Sequence, residues 1–178
     1  NPLSETMERY ESYFKIFDNF QGYIDFFLLQ DLVSSDYSSI KYLIPFISLI
    51  HSVDSLKLLK EINKKAKAKN KVIDCLIQVK IANEDSKYGF NINEVSDVLN
   101  YALELENVSI KGLMGMATNT NNNNLIDKEF KSLNTEFKKY KSKDFDVLSM
   151  GMSNDYKLAI SNESNMIRLG SIIFGRRK

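Results

Sequence analysis

The residues best suited to chemistry lie in the C-terminal run Leu148-Ser-Met-Gly-Met-Ser-Asn-Asp155, continued by Asn165-Met-Ile-Arg-Leu-Gly-Ser-Ile-Ile-Phe-Gly175. Each half reads as a short apolar strand that stops at glycine and serine and passes directly into a helix. Val147 and Leu148 lead to Gly151 and Ser153, and Met166, Ile167 and Leu169 lead to Gly170 and Ser171. Glycine lets a ligand approach the backbone closely, and the free N–H groups of a helix start point at an anion. Two such turns in succession at the end of an α/β chain predict a phosphate-bearing ligand. Arg168, on the second apolar strand beside the Gly-Ser turn, reads as a ligand contact in preference to a merely buried, paired arginine. Ser153 reads equally as the N-cap of the helix after it and as a phosphate contact, roles that one residue can combine.

The rest of the chain offers less. His51 is the sole histidine, which leaves no multi-histidine metal site and no Ser-His-Asp set to assemble; it ends a strand as a structural or pocket-lining group. The single cysteine, Cys75, allows no intrachain disulfide, suits a reducing compartment, and sits in the apolar run Val72–Val79 as a buried core thiol. Lys87, in Glu84-Asp-Ser-Lys-Tyr-Gly89, reads as a loop residue. Lys80 ends the strand Val72–Val79, from which a lysine could reach an aldehyde, a reading that ranks below a plain strand end.

Bulk properties exclude several classes. Net charge is +1, so no global field draws the chain to nucleic acid or to an acidic membrane. The lysines at 57, 60, 64, 65, 67 and 69 share a helix with inward Leu56, Leu59 and Ile62, and no aromatic platform accompanies them, so they read as a solvated face. Apolar runs are far shorter than a bilayer needs, and the opening Asn1-Pro-Leu-Ser-Glu5 carries no signal-peptide pattern, so a cytoplasmic location is expected. A length of 178 residues suits one domain, 1–178.

Periodicity supplies the elements that must position these groups. Leu3, Met7, Tyr10, Phe14 and Phe17 fall at helical spacing, and Ile24–Leu29 reads as a strand. After the polar Asp31–Ser39 and an apolar segment Ile40–Ile44 ended by Pro45, strands are expected at Phe46–His51, Val72–Val79, Val108–Met114, Phe145–Leu148 and Met166–Leu169. Helices are expected from Asp54 or Ser55 to about Lys69, over Asn93–Leu105 and Leu125–Tyr140, and from about Ser153, with Asn119–Asn124 as a low-complexity loop. Near-continuous apolar strands alternating with helices imply a parallel sheet with helices outside it. Six βα units can be read, where a closed barrel needs eight, and periodicity alone leaves an open doubly wound sheet possible. The lack of an early GxGxxG weakens a dinucleotide-binding fold.

From Lys41 to Arg176 the chain resembles the pyridoxal-phosphate homeostasis protein family, the YggS-like proteins. The likeness rests on Lys41-Tyr-Leu-Ile-Pro-Phe, Ile50-His-Ser-Val-Asp54, Leu76-Ile-Gln-Val, Glu84-Asp-Ser-Lys-Tyr-Gly89, Lys111-Gly-Leu-Met-Gly-Met116 and the two C-terminal motifs. The resemblance implies a (β/α)₈ TIM barrel of the alanine-racemase type, with about six of its eight βα units in this chain. It implies pyridoxal 5'-phosphate as cofactor, with Ser153 after the seventh strand and Gly170 and Ser171 after the eighth on the phosphate. Arg168 would face the pyridine nitrogen and Met152 would line the pocket. An arginine there opposes ring protonation and makes the ring a poorer electron sink than an aminotransferase requires. A non-enzymatic carrier or buffer in cellular pyridoxal phosphate homeostasis is therefore expected.

The chain also departs from the family. The Val-Ser-Lys-Thr-like motif that carries the family's aldimine lysine is absent, and Asn1–Glu5 aligns after the second strand. Phe26–Val33 stands where the family has a histidine- and glycine-bearing segment, and Glu163 replaces a family glycine, which would place a carboxylate near the pocket rim. An incomplete parallel barrel leaves unpaired edges, so self-association or a second chain is expected to cover the edge strand Ile24–Leu29. The alternatives are a degenerate paralogue acting through a protein partner and a racemase-type enzyme.

Overall fold

The computed structural model describes residues 47–82 and 88–175, together with Ile40, Ile44, Pro45 and Glu84. The expected opening helix, the strand at Ile24–Leu29 with its covering chain, and Lys87 lie outside these residues.

Among the described residues five strands follow one another: β1 (Leu49–Val53), β2 (Ile73–Val79), β3 (Val108–Gly115), β4 (Val147–Met152) and β5 (Met166–Arg168). They lie in the sheet in chain order, β1-β2-β3-β4-β5, and every pairing is parallel. A doubly wound sheet reverses its strand order at a switch point; steady progression in one direction is how a βα barrel is built. The order of the strands thus decides what periodicity left open.

Helices connect the strands. Helix α1 (Leu56–Lys67) starts where the Ser55 hydroxyl accepts the Leu58 N–H at 3.3 Å, and it buries Leu58, Leu59, Ile62 and Ala66. Leu56, expected to face inward, is exposed at the first position of the helix, and Leu58 is buried in its stead. Helix α2 (Val95–Ala102) is shorter than expected because its first turn, Ile92–Glu94, winds as a 3₁₀ helix. Helix α3 (Asn123–Tyr140) begins inside the asparagine run: Asn122 caps it by accepting the Leu125 N–H at 3.2 Å, so the loop ends earlier than composition suggested. Helices α4 (Tyr156–Ser161) and α5 (Ser171–Phe174) complete the series.

The two faces of the sheet differ. Toward the helices, Ile73, Cys75, Ile77 and Val79 of β2 join Leu113, Leu148 and the inner sides of α1, α2 and α3 in one large apolar core. The Cys75 thiol is fully buried there, as expected, and burial pushes its pKa far up, which makes it unreactive. The opposite face holds a smaller cluster of Leu49, Leu76 and Met114, with Met116, Val147 and Met166 against it. Two residues further along four of the strands, that face turns polar: Leu49 is followed by His51, Leu76 by Gln78, Val147 by Ser149 and Met166 by Arg168. All four polar residues are buried. The interior is therefore apolar at the N-terminal side of the sheet and polar toward the C-terminal ends of the strands.

The β4–β5 connection is held by side chains. Ser164 Oγ lies within 3.1 Å of Met150 N and of the carbonyls of Leu148, Met150 and Met166, and Asn165 Oδ1 accepts the Leu148 N–H at 2.8 Å. Just before them, Glu163 sits at φ +65° and pairs with Lys138 of α3 at 2.6 Å. The expectation that Glu163 adds charge to the pocket rim is thus corrected. It lies where the chain enters β5, among the outer helices, at the opposite end of the strand from Gly170. A left-handed backbone strains any residue with a Cβ, while an exposed ion pair contributes little. Glu163→Gly should therefore raise the thermal unfolding midpoint; a lower midpoint would show the ion pair to be the larger effect.

Candidate functional site

The two glycine-serine turns, separate in the chain, meet in space. Met152 ends β4 opposite Arg168 at the end of β5, after a register shift that follows Ser149. Gly151 absorbs that shift at φ +96°, where a Cβ would meet Ala159 Cβ at 2.6 Å. The chain then turns sharply: Met152 N–H donates to Asp155 Oδ1 at 2.6 Å, and Asp155 N–H to Met152 O at 3.1 Å. Helix α4 starts only after this turn, so β4 does not pass directly into a helix and Ser153 is not its N-cap.

Ser153 instead caps the other turn. Its Oγ accepts the N–H of Gly170 at 3.2 Å and of Ile172 at 3.3 Å. These are donors that the short helix α5 leaves without a helical partner, and Ser153 Oγ takes both, in the position that an anionic oxygen could occupy. Gly170 is exposed, and a Cβ built on it would meet nothing within 4 Å, so protein packing does not require glycine there. What its lack of a side chain provides is open space beside the backbone. Ser171 is exposed on the first turn of α5, and Met152, 38% exposed, flanks the same opening. The structure thus brings Met152, Ser153, Gly170 and Ser171 together.

Arg168 lies beneath them, buried, and reaches back across two strands. Its Nη1 donates to Ser149 Oγ of β4 at 2.7 Å and its Nη2 to the Gly115 carbonyl of β3 at 3.1 Å. Burial lowers its pKa to about 10 while the charge of Asp155 opposes the shift, so it remains a cation at neutral pH. Ser149 Oγ also lies 3.3 Å from His51 Nδ1 of β1. The arginine N–H can only donate, so the hydroxyl's own proton is available to an unprotonated Nδ1. His51, Ser149 and Arg168 thus form one buried polar line that fixes the plane of the guanidinium.

Four contributors were not legible beforehand: Ser149, the Gly115 carbonyl, Asp155 and the link to His51. The one available signal was parity, since Ser149 stands two residues beyond Val147, and Arg168 two beyond Met166, on a strand with period two.

Residues 1–75 match the model of a family of unknown function (DUF6994). The pyridoxal phosphate homeostasis protein of Aquifex aeolicus is 35% identical over 145 residues, covering 79% of this chain and 63% of that protein. The chain is a relative of the pyridoxal phosphate homeostasis proteins. It spans about three-fifths of the length of the curated relative from Aquifex. Among solved structures, PipY of Synechococcus elongatus without PLP superposes with a TM-score of 0.71 at 26% identity, covering 77% of this chain and 66% of that one. Alanine racemase of Clostridium difficile, at 17% identity and a TM-score of 0.60, shares the fold over 80% of this chain and 37% of its own. The five strands are thus an arc of an alanine-racemase-type barrel, as the family resemblance implied.

Proposed function

We propose that this chain binds pyridoxal 5'-phosphate and serves as a non-catalytic carrier or buffer of it in the cytoplasm. The observation that carries the reading is the convergence of the Gly170 and Ile172 N–H groups on Ser153 Oγ, in the turn that follows the buried Arg168. Phosphate at the last two βα turns is the recurring arrangement in barrels. PipY, the neighbour in the solved structures, is also known with PLP bound, in a form with a TM-score of 0.68 and 23% identity. The residues fit the group: backbone donors and the Ser153 and Ser171 hydroxyls for the phosphate, open backbone at Gly170, and Arg168 for the ring nitrogen. When bound, the group supplies an electrophilic aldehyde on a pyridine ring. Arg168 then disfavours a proton on the ring nitrogen, and the His51–Ser149 line keeps the guanidinium in plane. A site that holds the ring unprotonated suits storage better than turnover, and for that reason the chain is read as a binder and not an enzyme.

Binding of pyridoxal phosphate to the purified chain by equilibrium dialysis tests this, with pyridoxal lacking phosphate as the control. Retention of the phosphorylated form alone is the expected result, and equal retention of both would remove the phosphate grip. Gly170→Ala is a sharper check. At φ −120° with no neighbour near the new methyl group, it should leave the unfolding midpoint unchanged yet weaken pyridoxal phosphate by roughly tenfold, since the methyl fills space that the ligand needs. Unchanged affinity would move the phosphate elsewhere.

The same reading extends to partners. Among the described residues β1 pairs only with β2 and β5 only with β4. Self-association or a second chain would satisfy such edges. Sedimentation should show a species larger than one chain, and a stable monomer would count against this part of the proposal.

A further inference from the structure

The phosphate and the ring nitrogen are provided for from β4 and β5, while one buried oxygen on the same face of the sheet has nothing to accept. We infer that Gln78 of β2 is the acceptor for the 3-hydroxyl of bound pyridoxal phosphate; this rests on the binding reading above. Three observations carry it.

The first is the state of the side chain. Gln78 is 1% exposed. Its Nε2 donates to Tyr88 O at 2.8 Å, while its Oε1 has no hydrogen-bond partner among the described residues. The Tyr88 carbonyl can only accept, so the amide has one orientation: its NH₂ faces Tyr88 and its oxygen faces away. The segment that imposes this is held close. Phe90 N–H donates to Gln78 O at 2.9 Å, Lys80 N–H donates to Phe90 O at 2.8 Å, and a Cβ on Gly89 would meet Gln78 O at 2.9 Å. A buried acceptor without a donor is costly, so a donor brought by a ligand is favoured there.

The second is position. Gln78 shares the face of Leu76, whereas Ile77 and Val79 point into the core behind the sheet. It is in register with Met114 of β3, which is in register with Ser149 of β4, the partner of Arg168. Two strand spacings, roughly 10 Å, separate Gln78 from Ser149. The guanidinium covers part of that span, since its Nη2 reaches the carbonyl of Gly115, which pairs with Val79 beside Gln78.

The third is the covalent geometry of the ligand. The ring nitrogen stands between two edges of the ring: one leads to the carbon with the phosphate arm, the other to the carbon with the 3-hydroxyl. With the nitrogen at Arg168 and the phosphate at the turns after β4 and β5, the hydroxyl edge points along the sheet toward β2. That hydroxyl is also the only donor on the ring once the nitrogen is unprotonated, because the aldehyde oxygen can only accept. Arg168 donates to the nitrogen and Gln78 accepts from the hydroxyl, so the two residues together select the uncharged ring. Gln78 is thus a specificity-determining residue for the hydroxylated pyridine.

The test is calorimetric titration of the full 178-residue chain and of Gln78→Met with pyridoxal phosphate, 3-deoxypyridoxal phosphate and inorganic phosphate. The parent should bind the deoxy compound about tenfold more weakly than pyridoxal phosphate, the cost of leaving Oε1 unpaired. Gln78→Met should lose a similar factor on pyridoxal phosphate, bind the two pyridines equally, and bind inorganic phosphate as the parent does. A merely structural role would weaken both pyridines alike and preserve their ratio, which would overturn the assignment. Equal affinity of the parent for the two pyridines would overturn it as well, a comparison that needs no variant to fold, and would leave the binding reading intact. Failure of the parent to bind pyridoxal phosphate would overturn both.

Discussion

Gly112→Ala is expected to destabilise the protein by more than about 4 kcal/mol, the range reached only when a substitution breaks something built into the backbone. A Cβ at Gly112 would stand 1.7 Å from the carbonyl oxygen of Val147 and 2.6 Å from its carbonyl carbon. Both atoms belong to the main chain of β4, so no rotamer change relieves the clash. The two strands meet only through Gly112–Val147, Leu113–Leu148 and Met114–Ser149, and the new methyl group would force all three pairs apart. Ser149 would move with them, and with it the partner of Arg168. Gly115→Ala supplies an internal comparison. There the added Cβ would meet Leu133 Cδ2 at 2.6 Å and Ile81 Cδ1 at 2.9 Å, which are ends of side chains able to shift, so a cost of about 1–3 kcal/mol is expected. Chemical denaturation of both variants would check the ranking. If Gly112→Ala unfolds at nearly the parent's denaturant concentration, β3 and β4 approach less closely than described.

The largest effect on the ligand is expected from Arg168→Ala. The guanidinium makes charge-assisted hydrogen bonds to Ser149 and Gly115 and, in the proposed complex, one to the ring nitrogen. Losing a hydrogen bond to a charged group costs about 1.5–3 kcal/mol, which corresponds to roughly ten- to hundred-fold weaker pyridoxal phosphate. Affinity for inorganic phosphate should fall much less. Ser171→Ala should act in the opposite sense, weakening phosphate and pyridoxal phosphate together. Titration calorimetry with both ligands separates these outcomes, and unchanged affinity in both variants would remove the site from this end of the sheet. Arg168→Lys sharpens the case: it keeps the charge but cannot span Ser149 and Gly115 with one planar fork. If it binds as the parent does, only charge matters at this position.

The alternation of helix and strand was legible in the sequence because burying one face of each element imposes a period, and both periods survive in the residue order. Strands were placed within a few residues, Leu59 and Ile62 of α1 were assigned to the core while Leu56 was wrongly placed there and Leu58 was missed, and Cys75 was recognised as a buried core thiol. The Gly-Ser turns, with Arg168 between them, were also legible, since glycine, hydroxyl and guanidinium have few reasons to stand together on apolar strands. Other features were not. Ser149 is a small residue in an apolar run, and only its position beside β5 makes it the partner of Arg168. Gly112 looked like any strand glycine until β4 came to lie against it. Glu163 was placed at the wrong end of its strand because one-dimensional distance from Arg168 does not say which way the strand points.

What the sequence by itself determined is the set of elements and the chemical kinds of group at the ends of the last two strands. What only the tertiary structure decided is the order of the strands, which separates a barrel arc from a doubly wound sheet, and the convergence of Ser153 on the Gly170 and Ile172 N–H groups. The physical reason is that periodicity and turn chemistry act between residues a few positions apart. A binding site of this kind is assembled from strand ends that are neighbours only because the backbone hydrogen bonds of the sheet place them side by side.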